Sequence, residues 1–232
     1  MINYYKRLYK IYKQVNKKVK KMYTLKKAKQ LTGGGISNRN KKMPGYTYGL
    51  SAKRCKTGAK LQKVKGSTCF NCYAMKANYF YPSVKTGHAR RLRSIDNKNW
   101  TAAMIQLITH YEENYFRWHD SGDIQSLEHL RKICAVAAGT PNIKHWLPTR
   151  EAGILKEYKA AGGCIPSNLV IRLSATMVNG APSKTHEHSS TVHTPGVEPI
   201  GEACSASKQG GRCLDCRACW DPSIKNISYE KH

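Results

Sequence analysis

Four cysteines near the carboxyl terminus have the spacing of metal ligands. Cys204 is followed by Cys213, and Cys216 and Cys219 then come at intervals of three residues. Two overlapping C-x2-C units and a nearby fourth thiolate make a four-sulfur shell that suits a [4Fe–4S] cluster or zinc. Three cysteines within seven residues are more typical of ferredoxin-type ligation than of a zinc ribbon. The spacing therefore favours an iron–sulfur site, with zinc as the alternative.

A second group of cysteines lies earlier in the chain. Cys69 and Cys72 form another C-x2-C unit, and Cys55 precedes them. Three thiolates that hold a cubane cluster leave one iron open, and an open iron can bind a substrate or cofactor directly. This opening is the main argument for catalysis. In the alternative, Cys69 and Cys72 join the C-terminal cysteines in a single structural site, so the sequence is compatible with one cluster or two.

The remaining cysteines and the hydropathy of the chain bear on its redox environment. Cys134 and Cys164 are expected in the core. The nine cysteines are odd in number and clustered, which fits a disulfide framework poorly. We find no signal-peptide pattern at the N-terminus, and no apolar run approaches the roughly 20 residues of a membrane-spanning helix. A reducing cytoplasm is therefore the expected location, and there thiols stay available as ligands.

Titratable side chains that could move protons or hold a substrate lie in the middle of the chain. His119, Asp120 and Asp123 are closely spaced and follow a predicted strand, so they are candidates for acid–base catalysis. Arg150 could bind a carboxylate or a phosphate. Structural alternatives exist, because the two aspartates could cap the next helix and Arg150 could pair with Asp123 or Glu151.

The net charge of +26 is concentrated in the first part of the chain. Residues 1–95 contain 25 lysines and arginines and no acidic residue, whereas residues 96–232 carry 15 basic and 14 acidic residues. Such a field attracts polyanions, and counterion release from phosphates makes nucleic acid the expected partner of residues 1–95. An anionic membrane surface is the second choice, and a solvated charge run without a partner is the third.

A basic N-terminal arm is predicted for residues 1–44. Its apolar side chains recur at alternating intervals of three and four residues, with lysines between them, which indicates an amphipathic helix. The apolar stripe consists of Tyr5, Leu8, Tyr12, Val15, Val19 and Met22. This helix could lie on phosphates or a membrane surface, or it could pack on the body of the protein. The glycines at 33–35 and the Pro44-Gly45 pair then predict a linker.

Strands and helices alternate between residues 45 and 178. The predicted strands cover residues 46–52, 115–119, 143–147 and 169–173, and the predicted helices cover residues 99–111, 125–138 and 152–161. This alternation is typical of an α/β fold with a parallel sheet, either an incomplete TIM-like βα barrel or an open sheet.

Functional groups gather beyond the carboxyl ends of parallel strands, so we expect the candidate residues to share one rim. That rim would hold Cys55, His119, Asp120, Asp123, Thr149, Arg150 and Ser174. Residues 179–232 are rich in Gly, Pro, Ser and His at first and in cysteine later. They are predicted as a loop-rich cysteine segment that packs on the same domain and folds back toward the rim.

Several separate motifs resemble the phage "gene product 88" family. They are GSTCFNCYA at residues 66–74, RWHDSGD at 117–123, WLPTRE at 146–151, NLVIRLSA at 168–175 and CLDCRACW at 213–220. The likeness extends over residues 45–222. It implies a phage origin and brings no activity with it.

A looser likeness is to radical S-adenosylmethionine (SAM) enzymes, in which a C-x2-C-Tyr-Ala segment follows the first strand of a βα barrel. Residues 69–74 are similar to that segment. Those enzymes place three cysteines as C-x3-C-x2-C, whereas thirteen residues separate Cys55 from Cys69 here, and no Gly-Gly-Glu-like segment follows. The likeness implies SAM as a further candidate cofactor.

These motifs together favour a phage-encoded iron–sulfur protein, of redox or radical type, that acts on or near nucleic acid. In this interpretation His119 and Asp120 move protons and Arg150 anchors the substrate. One alternative is a non-catalytic nucleic-acid-binding protein with structural zinc or a closed cluster. A second alternative is an electron carrier in which cysteines fill every ligand position.

Overall fold

Seven parallel strands form one sheet in the computed structural model, which describes residues 23–37, 42–111 and 114–231. The strands are β1 (Tyr46–Tyr48), β2 (Tyr115–Trp118), β3 (Lys144–Thr149), β4 (Leu169–Ser174), β5 (Ser189–His193), β6 (Glu202–Ala203) and β7 (Asn226–Glu230). Their order is β1-β2-β3-β4-β5-β7-β6, and every pairing is parallel. The edges are β1 and β6, so the sheet is open.

Six α-helices connect or flank these strands in the described ranges. They are α1 (Leu25–Leu31), α2 (Lys56–Leu61), α3 (Pro82–Ser94), α4 (Trp100–Tyr111), α5 (Leu127–Ala138) and α6 (Ala152–Ala160). Capping side chains and a proline explain where several of these helices begin. The hydroxyl of Thr24 accepts from the N–H of Lys27 before α1, the hydroxyl of Ser126 accepts from the N–H of His129 before α5, and a proline begins α3.

The helices cover one face of the sheet. Along β2, the side chains of Phe116 and Trp118 point into the main core, and along β4 those of Leu169, Ile171 and Leu173 do the same. They pack against apolar residues of α4, α5 and α6. The period of two along each strand places every second side chain on this face, and burial of these side chains is the main stabilising contribution to the fold.

The C-terminal segment covers the opposite face. Trp146 of β3 packs there with Trp220, Cys219 and Ile227 in a smaller buried cluster. The indole N–H of Trp220 donates to the backbone carbonyl of Phe116 at 3.0 Å, which ties this segment to β2. The sheet is therefore buried on both faces, by helices on one side and by the cysteine-rich chain on the other.

The predicted α/β fold with a parallel sheet is confirmed, and the open sheet is the form observed. The barrel is not confirmed, because the outermost described strands, β1 and β6, do not pair with each other. Residues 179–232, predicted as loop-rich, also contribute β5, β6 and β7 to the sheet. The sequence did not predict β5 because its buried residues, Ser189, Ser190 and Thr191, are polar. The hydroxyl of Ser189 donates to the side chain of Asn226, which in turn donates to the hydroxyl of Thr191.

The predicted N-terminal arm is described only in part. Residues 1–22, which hold the predicted amphipathic helix, lie outside the described residues. The described part contains α1, and Ala28 and Leu31 of this helix pack on Ala103 and Leu107 of α4. Within the described ranges, no helix combines the length and the apolar character needed to span a bilayer.

Candidate functional site

Cys55 lies at the start of α2, directly after the 3-10 turn Ala52–Arg54. It supplies no side-chain cap to the helix. Glu151, which precedes α6, provides the cap instead, because its Oε1 accepts from the N–H groups of Lys56 and Thr57 at 3.1 and 2.9 Å. Its Oε2 accepts from the hydroxyl of Thr57 at 2.8 Å. A carboxylate at a helix start satisfies free N–H groups and the positive end of the dipole, so Glu151 fixes the backbone beside Cys55.

The loop that carries Cys69 and Cys72 is held against the chain that leaves β4. Ser67 forms an isolated antiparallel bridge with Met177. The backbone N–H of Thr68 donates to the carbonyl of Thr176 at 2.9 Å, and the hydroxyl of Thr68 donates to the carbonyl of Ala175 at 3.1 Å. These bonds place the loop at the carboxyl end of β4.

The three cysteines Cys55, Cys69 and Cys72, called here the rim thiol group, lie together. A Cβ atom at Gly58 would lie 3.6 Å from Sγ of Cys69 and 3.7 Å from Sγ of Cys55. Burial, then Asp123 and the thiols of Cys72 and Cys69, raise the pKa of Cys55 far above its usual value. Burial also raises the pKa of Cys69, against the opposing effect of Arg150.

Asp123 joins the carboxyl ends of two strands at the same rim. Its Oδ1 accepts from the hydroxyl of Thr149 at 2.6 Å and from the N–H of Ile124 at 2.7 Å, and its Oδ2 accepts from the N–H of Arg150 at 2.9 Å. Burial raises the pKa of Asp123 to about 6, although these hydrogen bonds act in the opposite direction. Both oxygens are engaged, so the geometry suits the turn-stabilising alternative better than proton transfer.

Arg150 contacts the cysteine loop. Its Nε donates to the hydroxyl oxygen of Thr68 at 3.1 Å. Its positive charge also acts to lower the pKa of Cys69, the residue after Thr68, and so favours the thiolate. The hydrogen bond between Arg150 and Asp123 involves the backbone N–H of Arg150, so it is not the predicted pairing of charged side chains. The guanidinium group is therefore placed at the rim thiol group, where it can meet an anionic ligand.

His119 lies beneath the rim, in the core. Its side chain is 3% exposed, its φ is 51°, and within the described chain neither ring nitrogen has a hydrogen-bond partner. Its ring centroid is 5.4 Å from that of His129. Burial, with a further contribution from Arg117, lowers the pKa of His119 to about 3. A neutral, enclosed imidazole is poorly placed to exchange protons with a ligand at the rim.

Asp120 is placed beside two tyrosines. Its Oδ2 lies 3.4 Å from the hydroxyl of Tyr79, and its backbone carbonyl accepts from the hydroxyl of Tyr73. Its Oδ1 is buried without a partner in the described chain. Asp120 therefore connects the end of β2 to the segment that follows Cys72.

The four C-terminal cysteines, called here the face thiol group, lie on the sheet face opposite the helices. Cys204, Cys213, Cys216 and Cys219 line one small cavity together with Trp220 and Ile227. The backbone N–H of Cys204 donates to the backbone carbonyl of Ser228 in β7 at 2.8 Å. Burial raises the pKa of Cys219 to about 12, and Cys204 and Cys216 add to the raised pKa of Cys213.

Arg172 fixes the segment that carries Cys219, and sequence reasoning missed this role. Its guanidinium group donates to four backbone carbonyls, those of Ala218, Cys219, Asp221 and Ile224, at 2.9–3.1 Å. The side chain is 0% exposed. The available signal was a single charged residue within the apolar strand LVIRLS. A buried arginine needs several acceptors, and here they belong to the segment that carries Cys219.

Arg117 of β2 lies near the face thiol group. Its guanidinium carbon is 4.7 Å from the ring centroid of Trp146. Its charge opposes the raised pKa of both Cys213 and Cys219. Burial acts to lower the pKa of Arg117. Neighbouring acidic groups, chiefly Tyr73 and Asp120, outweigh burial, so the pKa of Arg117 lies above its usual value.

The structure thus brings the seven predicted ligands into two groups, with Cys69 and Cys72 beside Cys55. All nine cysteines are free thiols. Cys134 is buried as expected, whereas Cys164 is exposed. The donor chemistry of both groups suits a thiophilic metal. However, among the described residues no three His, Cys, Asp or Glu side chains form an arrangement that could hold a metal ion.

Comparison with known proteins identifies a family and nothing closer. No curated protein matches the chain, and no solved structure matches it either. The looser likeness to radical SAM enzymes therefore has no support from these comparisons. The model of the family described as "Gene product 88" matches residues 10–222, which includes much of the basic arm and both thiol groups. The chain therefore belongs to the phage gene product 88 family.

Proposed function

We propose that this protein binds one or two [4Fe–4S] clusters through its two thiol groups. The observation that carries the proposal is the gathering of seven cysteines, as free thiols, into a group of three and a group of four. Neutral thiols gain little from one another beyond ordinary packing. Metal–thiolate bonds, in contrast, would stabilise both arrangements and would offset the burial that raises the thiol pKa values.

The spacing that each metal requires favours iron–sulfur clusters over zinc. Four thiolates on one zinc ion stand about 3.8 Å apart, because Zn–S bonds are about 2.3 Å long in a tetrahedral arrangement. The described thiols form no such compact set. A cubane spreads its ligands over separate iron atoms, so it does not require thiols that lie so close together.

The rim thiol group is the proposed place of redox or radical chemistry. Three cysteine ligands would leave one iron of a cluster open, and that iron would supply a site for direct binding of substrate or of SAM. Arg150, beside Cys69, would orient an anionic part of the ligand. The proposed acid–base roles of His119 and Asp120 have weaker support, since His119 is enclosed.

The face thiol group offers four cysteines and no open position, so its proposed role is structural or in electron transfer. If the clusters of both thiol groups only transfer electrons, the protein is an electron carrier. A non-catalytic nucleic-acid-binding protein is the other alternative, and the charge of residues 1–95 favours it. In each case we propose that the protein works in the reducing cytoplasm of an infected host cell.

Anaerobic purification with iron, sulfide and zinc analysis tests the proposal. We expect a brown protein with about four irons per occupied thiol group. Cys69→Ser leaves two thiolates in the rim thiol group and should remove its iron. Because three thiolates can still hold a cluster, the face thiol group needs the double variant Cys213→Ser with Cys216→Ser, which should remove its iron. The matched control is Cys164→Ser, at an exposed cysteine outside both groups, which should keep all the iron. A colourless, zinc-loaded or metal-free wild-type protein would contradict the iron–sulfur proposal.

Electron paramagnetic resonance separates the catalytic proposal from the electron carrier. In the double variant Cys213→Ser with Cys216→Ser, only the rim cluster should remain, and addition of SAM or of another small ligand should change its spectrum. In the Cys69→Ser variant, the spectrum of the face cluster should stay the same. A rim cluster that responds to none of these additions would favour the electron carrier.

A further inference from the structure

A groove of about 510 Å³ is lined by residues that lie next to the rim cysteines along the chain, although no rim cysteine lines it. Its walls are the 3-10 turn Ala52–Arg54, the 3-10 turn Tyr73–Met75, and α3. The first turn leads directly into Cys55, and the second begins directly after Cys72. A ligand in this groove would therefore reach toward the rim thiol group.

The groove carries positive charge. Lys53, Arg54, Lys85 and Arg93 line it and are exposed to solvent. Of the described residues that line the groove, none is acidic. Four cations without a compensating carboxylate attract an anion, and the attraction is strongest in a concave site.

The groove also carries aromatic surface. Tyr79 and Phe80 line it, and Nζ of Lys85 lies 4.7 Å from the ring centroid of Phe80. Four aromatic side chains of this region are 45–60% exposed, namely Phe70, Tyr73, Phe80 and Tyr81. Exposed aromatic rings that alternate with cations are typical of surfaces on which unpaired bases stack. Apolar side chains of Met75 and Leu92 complete the lining.

We propose that this groove binds a nucleoside phosphate unit, with the phosphate on the four cations and the base on the aromatic wall. The unit can belong to a single strand of nucleic acid or to a free nucleotide. The groove proposal names a substrate class for the rim thiol group. Any chemistry on that substrate therefore rests on the proposed function. Binding itself depends only on the groove.

Lysine substitutions in the full-length protein test the phosphate part. Affinity for a labelled single-stranded oligonucleotide is measured at several salt concentrations. Lys53→Ala with Lys85→Ala should lower the magnitude of the log–log salt slope by about 1.4, since each phosphate contact on a single strand contributes about 0.7. The matched control is Lys63→Ala with Lys65→Ala, at exposed lysines of the same basic region outside the groove. Equal effects of the two pairs would overturn the proposal in favour of diffuse attraction.

The Phe80→Ala substitution tests the base part. Loss of one stacking contact should weaken oligonucleotide binding by about 5- to 150-fold, while Val64→Ala, at an exposed apolar residue outside the groove, should leave it unchanged. Competition by a nucleoside monophosphate would identify a free nucleotide as sufficient, and its absence would identify a strand. Competition by inorganic phosphate at equal concentration, or an unchanged affinity of the Phe80→Ala variant, would overturn the proposal.

Metal analysis of the same preparations separates this inference from the proposed function. The groove variants should keep the wild-type iron content. An iron-loaded wild-type protein that binds neither oligonucleotide nor nucleotide would overturn the groove proposal alone. A metal-free protein that binds oligonucleotide through Lys53 and Lys85 would overturn the iron–sulfur proposal alone.

Discussion

At the scale of single residues, Arg172 anchors the segment that carries Cys219 of the face thiol group. Its guanidinium group can donate five hydrogen bonds, and four backbone carbonyls of residues 218–224 accept from it. A lysine could not replace it, because an ammonium group lacks the planar fork that spans these acceptors. The segment with Cys219 is thus bound to the middle of β4 by one side chain.

Replacement of this side chain should destabilise the protein strongly. We expect Arg172→Met to lower the free energy of unfolding by at least about 3 kcal/mol, because hydrogen bonds to a charged group are lost and carbonyls are left without a donor. Urea denaturation measures the change. Arg131→Met is the control, since Arg131 is an exposed residue of α5 whose ion pair with Glu128 is long, at 3.8 Å, and it should change stability by less than about 0.5 kcal/mol. Similar losses in both variants would contradict the role assigned to Arg172.

At the scale of elements, α2 depends on a cap from another part of the chain. The helix has six residues, and neither Cys55 nor a neighbour caps its N–H groups by a side chain. Glu151 does so from the start of α6. Short helices are unstable alone, so this carboxylate orders the helix that positions Cys55.

We expect Glu151→Ala to lower the free energy of unfolding by about 1–2 kcal/mol, as for loss of a helix cap. It should also speed alkylation of Cys55 in metal-free protein, because the start of α2 would open more often. Denaturation and mass spectrometry of the alkylated thiols measure the two effects. Glu157→Ala, at an exposed position of the same α6, should leave both unchanged. Unchanged alkylation of Cys55 in the Glu151→Ala variant would count against the proposed positioning.

A buried histidine links β2, β3 and α5. Nδ1 of His145 accepts from the indole N–H of Trp118 at 3.2 Å. Its Nε2 lies 2.8 Å from the hydroxyl oxygen of Thr140, whose own proton is donated to the carbonyl of Val136 at 2.8 Å. The proton of His145 is therefore on Nε2, and the ring is neutral. Burial lowers its pKa to about 3, because the charged imidazolium would lose its hydration.

The lowered pKa predicts loss of stability in acid. The folded protein keeps His145 neutral, whereas the unfolded chain protonates it below about pH 6.5. The unfolded state therefore binds more protons as the pH falls from about 6.5 toward 3, and folding becomes less favourable. We expect His145 to contribute about 2 kcal/mol to the loss between pH 7 and pH 5.

The His145→Gln variant should accordingly show a smaller difference in unfolding free energy between pH 7 and pH 5 than the wild-type protein. The control is His110→Gln, at an exposed histidine of α4, which should keep the wild-type pH dependence. An equal pH dependence in all three proteins would show that protonation of His145 does not limit folding.

The predictability of the elements follows from their chemistry. The apolar alternation of β2 and β4 predicted strands correctly, because burial of every second side chain is what forms them. The helix α3 was not predicted, since its residues are mostly basic or small. The strand β5 was hidden because its buried side chains are hydroxyl groups that pair with distant residues such as Asn226.

At the scale of the whole molecule, the two thiol groups occupy different parts of one sheet. The rule that functional groups gather at the carboxyl ends of parallel strands placed Cys55, Asp123 and Arg150 together correctly. It could not place Cys219, whose segment is held by Arg172, a residue 47 positions away. The enclosure of His119 was equally unpredictable, since it depends on how α5 packs over β2.

This arrangement predicts an uneven response to metal removal. Residues 205–217 contain the 3-10 turn Ser205–Gln209 and no strand, so metal–thiolate bonds would be their main constraint. Residues 218–224 are held by Arg172 and Trp220 whether or not metal is bound. We therefore expect anaerobic chelation to increase amide hydrogen exchange in residues 205–217, while residues 218–224 and the sheet stay protected.

Hydrogen exchange with mass spectrometry measures this difference, and residues 218–224 serve as the control within the same molecule. In the Arg172→Met variant the order should reverse, because residues 218–224 lose their anchor while a bound cluster still constrains residues 205–217. Global unfolding on chelation would mean that the sheet itself depends on the metal. Unchanged exchange in residues 205–217 would mean that no metal constrains this part of the face thiol group, because chelation removes only the metal–thiolate bonds.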